Sequence, residues 1–338
     1  MSQPIDPSPP VAADEGGVVI VDKAGGMTSH DVVSRVRRLA GTRRVGHAGT
    51  LDPMATGVMV LGMGRGTRLL TYLSGLDKDY EATIRLGIST TTDDAAGEAI
   101  ASAPPGKVVG LAQGDVGQAV EALRGQILQV PSSVSAVKVD GRRAYARVRA
   151  GEQVVLAARP VTVRLFDVLT WRPGQASDGT DVLDIDVRVS VSAGTYVRAL
   201  ARDLGEALGV GGHVTALRRT RVGPFVLSEA HPLEELAEHW TALTLAEAAT
   251  RRFEALALTQ AQARALSLGQ SIPLDPAADL AAHPTAEPAA KPTENQAAHP
   301  TDQPVAAIGP DGRLVALISP DRTNTAWRPK AVFTPAAT

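Results

Sequence analysis

The sequence contains no cysteine, and only 3% of its residues are aromatic. The absence of thiols excludes disulfide bonds, thiolate metal ligands and catalysis by a cysteine nucleophile. There is also no apolar run long enough to span a membrane, and the N-terminus lacks a basic region leading into an apolar stretch. These absences favour a cytoplasmic protein.

Net charge is low as well, at -2, but the charges are unevenly distributed along the 338 residues. Residues 27–68 hold seven arginines against two aspartates, and residues 138–172 hold eight basic residues against three acidic ones. Acidic residues are in excess in residues 77–98 and 275–302. Such a separation is typical of a molecule with one side facing phosphates, although charge runs are more often ordinary solvated surface.

Residues 46–57 form a glycine-rich stretch, Gly-His-Ala-Gly-Thr-Leu-Asp-Pro-Met-Ala-Thr-Gly. Its glycines permit tight backbone, and Pro53 keeps Asp52 out of the helical conformation. The apolar run 58–61 predicts a buried strand that anchors the stretch. With His47 five residues before the aspartate, the pattern fits an active-site loop. By spacing alone, an Asp-Pro turn before a strand fits slightly better.

Three later segments have clear secondary-structure patterns. Residues 78–86 alternate in polarity and predict a strand with Tyr80 near its start. Residues 182–191 alternate likewise, with one buried and one wet side, which suits an antiparallel sheet. Residues 192–195 open a predicted helix that has Arg198 in its first turn. A cation there is unfavourable unless an anion compensates it, and the alternative is a surface arginine.

Three of these segments resemble motifs of the TruB family of bacterial tRNA pseudouridine-55 synthases. The 46–57 stretch is similar to the family's signature loop, whose aspartate is the catalytic nucleophile. The strand at Tyr80 and the sequence Gly-Thr-Tyr-Val-Arg at 194–198 are similar to two further motifs, and matching blocks cover most of residues 17–225. The resemblance implies an α+β pseudouridine synthase fold. Its central sheet is mixed and mainly antiparallel, with flanking helices and loops, and a small β-rich, PUA-like domain follows at the C-terminus.

The resemblance also implies roles for individual residues. Asp52 would be the nucleophile, Tyr80 would stack on the target uracil and help remove its C5 proton, and Arg198 would pair with Asp52. His47 would enter the space that the flipped base vacates. Contacts with RNA or substrate are expected for the remaining site residues, which are Lys23, Arg43, Arg44, Lys138, Arg142, Arg143, Tyr196 and Leu217.

The chain is expected to divide into two domains with additional segments. Residues 1–14, which include four prolines, predict a disordered leader. A catalytic domain is expected over 15–250, with an RNA-binding thumb insertion at about 125–152. A PUA-like RNA-binding domain is expected over 251–335. A low-complexity stretch at 275–304, rich in proline, alanine and acids, predicts a disordered insertion within it.

The expected function is isomerisation of a uridine in the tRNA T-loop to pseudouridine, by base flipping and aspartate nucleophilic catalysis. The predicted partner is the T-arm of tRNA. The protein is expected to act as a monomer and not to associate with a membrane. No cofactor and no metal are expected, because the reaction involves no redox step or group donor, and Asp93 and Asp94 are interpreted as turn-capping residues. A non-catalytic RNA-folding protein using the same basic surface is one alternative, and hydrolysis of a glycosidic bond through Asp52 is another.

This sequence departs from the family pattern at two places. Ala24 stands where the family usually has proline after Asp-Lys. Residues 131–136 read Pro-Ser-Ser-Val-Ser-Ala, where the family favours two prolines and then an aromatic residue. The second departure removes an aromatic contact from the predicted thumb.

Overall fold

The computed structural model describes residues 16–132, 156–274 and 303–334, together with the backbone of 138–139 and 142–143. The leader predicted for residues 1–14 lies outside the described residues, as does most of the insertion predicted for 275–304. In the described part of the chain, no helix is long and apolar enough to cross a membrane.

The described strands, in chain order, are β1 (Gly17–Lys23), β2 (Val45–His47), β3 (Thr56–Met63), β4 (Lys78–Leu86), β5 (Ile88–Thr90), β6 (Ala99–Ser102), β7 (Gly125–Gln129), β8 (Lys138–Val139), β9 (Arg142–Arg143), β10 (Arg159–Gln175), β11 (Asp181–Val191), β12 (Gly212–Val222), β13 (Phe225–Val226), β14 (Ala255–Ala257), β15 (Ile272–Pro273), β16 (Val305–Ile308), β17 (Leu314–Pro320) and β18 (Ala326–Val332). The α-helices are α1 (Ser29–Leu39), α2 (Gly66–Leu73), α3 (Gln113–Ala122), α4 (Val197–Ala207), α5 (Leu233–Glu238), α6 (Leu245–Thr250) and α7 (Gln260–Ser267).

A nine-stranded sheet forms the centre of the molecule. Its main path runs in the order β1-β3-β12-β4-β11-β10-β7, while β2 pairs with β3 and β13 pairs with β12. Every pairing in it is antiparallel except that of β3 with β12. The mixed, mainly antiparallel sheet predicted above is therefore confirmed.

The alternating sequence of β4 and β11 explains why the sheet has one buried face. Tyr80, Ala82 and Ile84 of β4 are buried, and the residues between them face the polar side. On that polar side Arg85 forms two hydrogen bonds, both of 2.8 Å, with Asp184 of β11. The buried face packs against helices α1 and α4. This packing holds the two helices beside the strands that carry the candidate site.

Sequence signals also explain where these two helices begin. A capping box starts α1: Asp31 donates its backbone N–H to the Thr28 hydroxyl at 3.1 Å, and the Asp31 carboxylate accepts the Thr28 backbone N–H at 2.8 Å. Helix α4 follows the extended residue Tyr196 and buries Val197, Leu200 and Leu204 against the sheet. Arg198 therefore enters the core from the first turn of α4.

A second, five-stranded sheet lies in the C-terminal part, in the order β14-β16-β17-β18-β15. Its first strand begins at Ala255, close to the predicted domain boundary at 251. Phe333 and Leu317 pack into the same apolar cluster as Leu69 of α2. In addition, Arg65 donates a 2.7 Å hydrogen bond to the Phe333 carbonyl. The chain thus ends in a small β-rich domain, as predicted, and that domain packs directly on the central one.

Candidate active site

The glycine-rich stretch forms a loop between β2 and β3, and its last glycine is required by close packing. Gly57 has a φ of 102°, a region that other residues rarely adopt. It lies opposite Arg219, where β3 and β12 run parallel, and a Cβ atom there would overlap the Arg219 backbone. The glycine therefore allows β12 to approach the loop that carries Asp52.

Lys23 supports this loop through hydrogen bonds to backbone carbonyls. Its side chain is fully buried, and its ammonium donates to the carbonyls of Ala24, Met27 and Pro53 at 2.9, 2.8 and 3.1 Å. Burial lowers the pKa of Lys23 to about 8, against the opposing attraction of Asp52. The structure therefore places this predicted RNA-binding residue under the loop, where it fixes Pro53 next to the candidate nucleophile.

Arg219 of β12, which was not among the predicted site residues, supports the same loop. It is 1% exposed, and its guanidinium donates to the carbonyls of Val58, Thr50 and Gly49 at 2.7, 3.2 and 3.2 Å. The signal for it is strand alternation, which places Arg219 on the same face as the buried Leu217. Five donors in a planar group suit this task, because they can satisfy several carbonyls of a glycine-rich loop at once.

Asp52 and Arg198 form a two-pronged ion pair at the tip of the loop. Arg198 Nε lies 2.9 Å from Asp52 Oδ2, and Nη2 lies 3.0 Å from Oδ1. The arginine side chain is 3% exposed, whereas that of the aspartate is 33% exposed. Asp52 thus supplies the anion that an arginine in the first turn of α4 needs, and its carboxylate keeps an open side.

A second carboxylate lies on the other side of Arg198. Arg198 Nη1 donates to the Thr92 carbonyl at 2.8 Å and lies 3.3 Å from Asp94 Oδ2. Asp94 also caps its turn as predicted, since Oδ1 accepts the Ala96 N–H at 3.1 Å. The sequence pattern predicted this capping role but not the ion pair. Arg198 is therefore held between Asp94 and Asp52, with its orientation fixed from both sides.

The open side of Asp52 faces a cavity of about 240 Å³. Tyr80 lines the same cavity as the ion pair, and so do Tyr196 and Leu217, two of the predicted substrate- or RNA-binding residues. Tyr80 is largely buried in β4, between strands β11 and β12. Asp52 is the one carboxylate among the described residues that line this cavity. The space is thus an aromatic-walled pocket with a single anionic group.

Lys78 also lines the cavity, and it too was missed. It is 7% exposed, and its ammonium donates to the carbonyls of Leu76 and Ser74 at 2.7 and 3.3 Å. Burial, assisted by the nearby charge of Arg219, lowers the pKa of Lys78 to about 8. Its only advance signal is its place on the buried face of β4, two residues before Tyr80.

Among the described residues, Lys23, Arg43, Arg44 and His47 do not line the cavity. His47 ends β2 and is half-buried, and its Nδ1 accepts the Gly49 N–H at 3.2 Å. Arg43 and Arg44 are exposed between α1 and β2. Lys138, Arg142 and Arg143 belong to the β8–β9 pair, whose side chains are outside the described residues. In the described chain, no group of three or more His, Asp or Glu side chains is placed to hold a metal ion.

The overall fold resembles chains of solved multi-component complexes. Over 99% of this chain and 92% of the other, the TM-score is 0.66 to a chain of an H/ACA RNP bound to a substrate RNA containing 2′-deoxyuridine, at 21% identity. It is 0.65 to a chain of a Cbf5-Nop10-Gar1 complex, with the same coverage and 24% identity. At such low identity these similarities establish the fold class.

Sequence comparison establishes the family. The profile of the TruB family pseudouridylate synthase N-terminal domain matches residues 37–197, and that of the tRNA pseudouridylate synthase B C-terminal domain matches residues 198–256. A tRNA pseudouridine synthase B from Arthrobacter sp. (strain FB24) is 54% identical over 94% of this chain and 97% of its own. The enzyme of that name from Thermobifida fusca is 60% identical over 73% of this chain and 83% of its own. The chain therefore belongs to the TruB family of pseudouridylate synthases, as its motifs indicated.

Proposed function

We propose that the protein converts the uridine at position 55 in the T-loop of tRNA to pseudouridine, with Asp52 as the nucleophile. The observation that carries this proposal is the ion pair of Asp52 and Arg198 in a cavity walled by Tyr80. Membership of the TruB family supports it, as do the names of the curated relatives. The proposal includes action as a monomer in the cytoplasm.

The reaction is an isomerisation with balanced atoms. The N1–C1′ bond of uridine breaks, the uracil turns, and C5 forms a new bond to C1′. The proton on C5 is lost and N1 gains one, so no oxidant, donor or water is consumed. A nucleophilic carboxylate divides this change into two easier steps by holding one fragment covalently. Asp52 can act in this way because its open side faces the cavity.

Arg198 holds the nucleophile in one orientation. A bidentate guanidinium fixes the plane of the carboxylate, and Asp94 and the Thr92 carbonyl in turn fix the guanidinium. Glycoside hydrolysis would instead need a second carboxylate across the cavity from the first. Asp94 does not line the cavity, since it lies behind Arg198. This placement favours the isomerase over the hydrolytic alternative.

Tyr80 provides the surface on which the flipped base rests. Removing a base from its stack costs roughly a few kcal/mol. Stacking on an aromatic ring recovers on the order of 1–3 kcal/mol per base. The Tyr80 ring is held in β4 beside Asp52, and its hydroxyl is the group we assign to removal of the C5 proton. His47, on the same loop as Asp52, would fill the space that the base leaves.

Basic groups outside the cavity would bind the T-arm. Arg43 and Arg44 are exposed just before the loop, and the β8–β9 pair lies within the predicted thumb. Phosphate contacts of this kind supply affinity and orientation rather than sequence readout. We assign a supporting RNA-binding role to the small C-terminal domain, because it packs on the central one.

One assay tests the proposal against its alternatives. Unmodified tRNA is incubated with the protein, and pseudouridine is mapped by chemical labelling. We expect conversion at position 55 without release of free uracil. Free uracil in the product would indicate hydrolysis. Tight tRNA binding with no modified base would favour the RNA-folding alternative.

A further inference from the structure

Gln129, the last residue of β7, is buried although it lies on an edge strand. It is 1% exposed, while Gln126 on the same strand is exposed and Leu128 is 74% exposed. A side-chain amide removed from water requires hydrogen-bond partners, since leaving it unpaired is costly. The partners of Gln129 therefore show what the end of this strand is held against.

Both polar atoms of the Gln129 amide bind one residue, Tyr196. Gln129 Nε2 donates to the Tyr196 carbonyl at 3.1 Å, and Gln129 Oε1 accepts the Tyr196 backbone N–H at 2.8 Å. Tyr196 is the extended residue that immediately precedes α4, and its carbonyl also accepts the first helical hydrogen bond, from Leu200. The amide thus clamps the backbone at the start of the helix, two residues before Arg198.

A second contact joins the end of β7 to the same helix. Arg202, one turn after Arg198, donates to the Val130 carbonyl at 2.8 Å. Its guanidinium also lies 3.3 Å from the carboxylate of Asp93, which has a left-handed φ of 58°. Asp93 precedes Asp94, the carboxylate behind Arg198. The strand end, the first half of α4 and the acidic turn therefore form one hydrogen-bonded unit around Arg198.

We propose that Gln129 is a positioning residue for the isomerisation, which holds Tyr196 and the first turn of α4 so that Arg198 meets Asp52 as a two-pronged donor. This inference rests on the proposed function of the site. Gln129 does not line the cavity, so it acts through the backbone of Tyr196. Because β7 is the first strand of the thumb predicted at about 125–152, the clamp also connects that segment to the ion pair.

The clamp affects turnover more than binding. Misplacing a reacting group by about 1 Å can cost on the order of 100-fold in rate. Removal of the amide leaves Arg43, Arg44 and the rest of the exposed basic surface in place. We therefore expect the single-turnover rate at saturating tRNA to fall by about 10-fold or more, and the tRNA concentration for half-saturation to change by less than about threefold.

The test compares Gln129→Leu with Gln126→Leu, which makes the same change at an exposed position of the same strand. Single-turnover conversion is measured with enzyme in excess over tRNA, well below the melting temperature of each variant. Gln129→Glu is the second variant, because it keeps the acceptor for the Tyr196 N–H and loses the donor to the carbonyl. We expect the single-turnover rate of Gln129→Glu to lie between those of the wild type and Gln129→Leu.

The outcomes separate a positioning role from a structural one. A rate for Gln129→Leu within twofold of that for Gln126→Leu would overturn the inference. So would an effect confined to the tRNA concentration for half-saturation, with the single-turnover rate unchanged. If Gln129→Leu does not fold, Gln129→Glu decides: a rate at least threefold below that of Gln126→Leu supports the clamp, and a smaller difference overturns it. If the wild-type protein forms no pseudouridine, the proposed function itself fails, which is a distinct result.

Discussion

The carboxylate of Asp52 receives two parallel hydrogen bonds from the guanidinium of Arg198, at 2.9 and 3.0 Å, although 146 positions separate the two residues in the chain. The two family profiles that match the chain meet between residues 197 and 198, so the loop and the arginine belong to different halves. The central sheet joins them. Strand β3 follows the loop directly, and Arg219 of the neighbouring strand β12 donates hydrogen bonds to the loop carbonyls of Gly49 and Thr50. The position of Arg198 follows from the packing of α4 on the buried face of that sheet.

Replacing Asp52 with asparagine tests the nucleophile. We expect Asp52→Asn to lower modification by at least about 10³-fold, because a neutral amide cannot attack as a carboxylate does. Affinity for tRNA should change little, and the fold should persist because Arg198 retains Asp94 as a partner. Pseudouridine mapping and a filter-binding assay measure the two quantities. Full conversion by this variant would refute the assigned role.

The geometry of the arginine fork can be tested with a matched control. Arg198→Lys keeps the charge but loses the second prong, so we expect turnover to fall by about 10²-fold. Arg85 forms an equally two-pronged pair with Asp184 on the far face of the sheet, and Arg85→Lys should leave turnover near that of the wild type. Equal activity of the two variants would show that the fork at Asp52 has no special importance.

Tyr80→Phe separates stacking from proton transfer. The ring remains, so we expect tRNA binding to be preserved. Loss of the hydroxyl should lower turnover by about 10²-fold, the smaller end of general acid–base contributions. Single-turnover rates across a pH series measure the effect. An unaltered rate would mean that another group removes the C5 proton.

Local sequence patterns predicted much of this fold. Alternating polarity predicted strands β4 and β11, and Arg198 was expected in the first turn of a helix, where α4 has it. The buried cations that support the site were harder to predict. Arg219 lies in the run Arg-Arg-Thr-Arg, where alternation with Leu217 signals its burial but not its partners, which lie 161 to 170 positions away in the chain. Lys23 was predicted to contact RNA or substrate, because no local pattern indicates that its ammonium is buried.

The buried ammonium of Lys78 predicts a pH effect on stability. Burial lowers its pKa from 10.5 to about 8, with Arg219 acting in the same direction and Asp77 against it. Between pH 8 and 10.5 the unfolded chain therefore keeps a proton that the folded protein has released, so this group makes the free energy of unfolding rise with pH. Relative to Lys78→Met, the wild type should gain up to about 1.4 kcal/mol per pH unit there. Urea unfolding at pH 8, 9 and 10 measures the difference, and a constant value would contradict the prediction.

Two buried serines should respond to the same substitution with opposite signs. Ser132 is fully buried, and its hydroxyl has no hydrogen-bond partner among the described residues. The hydroxyl of Ser29, also buried, donates to the Leu51 carbonyl at 3.0 Å and accepts the Leu51 N–H at 2.9 Å, beside Asp52. Ser132→Ala should raise the free energy of unfolding by about 1 kcal/mol, because it removes an unpaired polar group. Ser29→Ala should lower it by about 1–3 kcal/mol, because it leaves both backbone groups of Leu51 unsatisfied. Denaturant unfolding of both variants measures the pair, and a loss of stability in Ser132→Ala would show that its hydroxyl is in fact bonded.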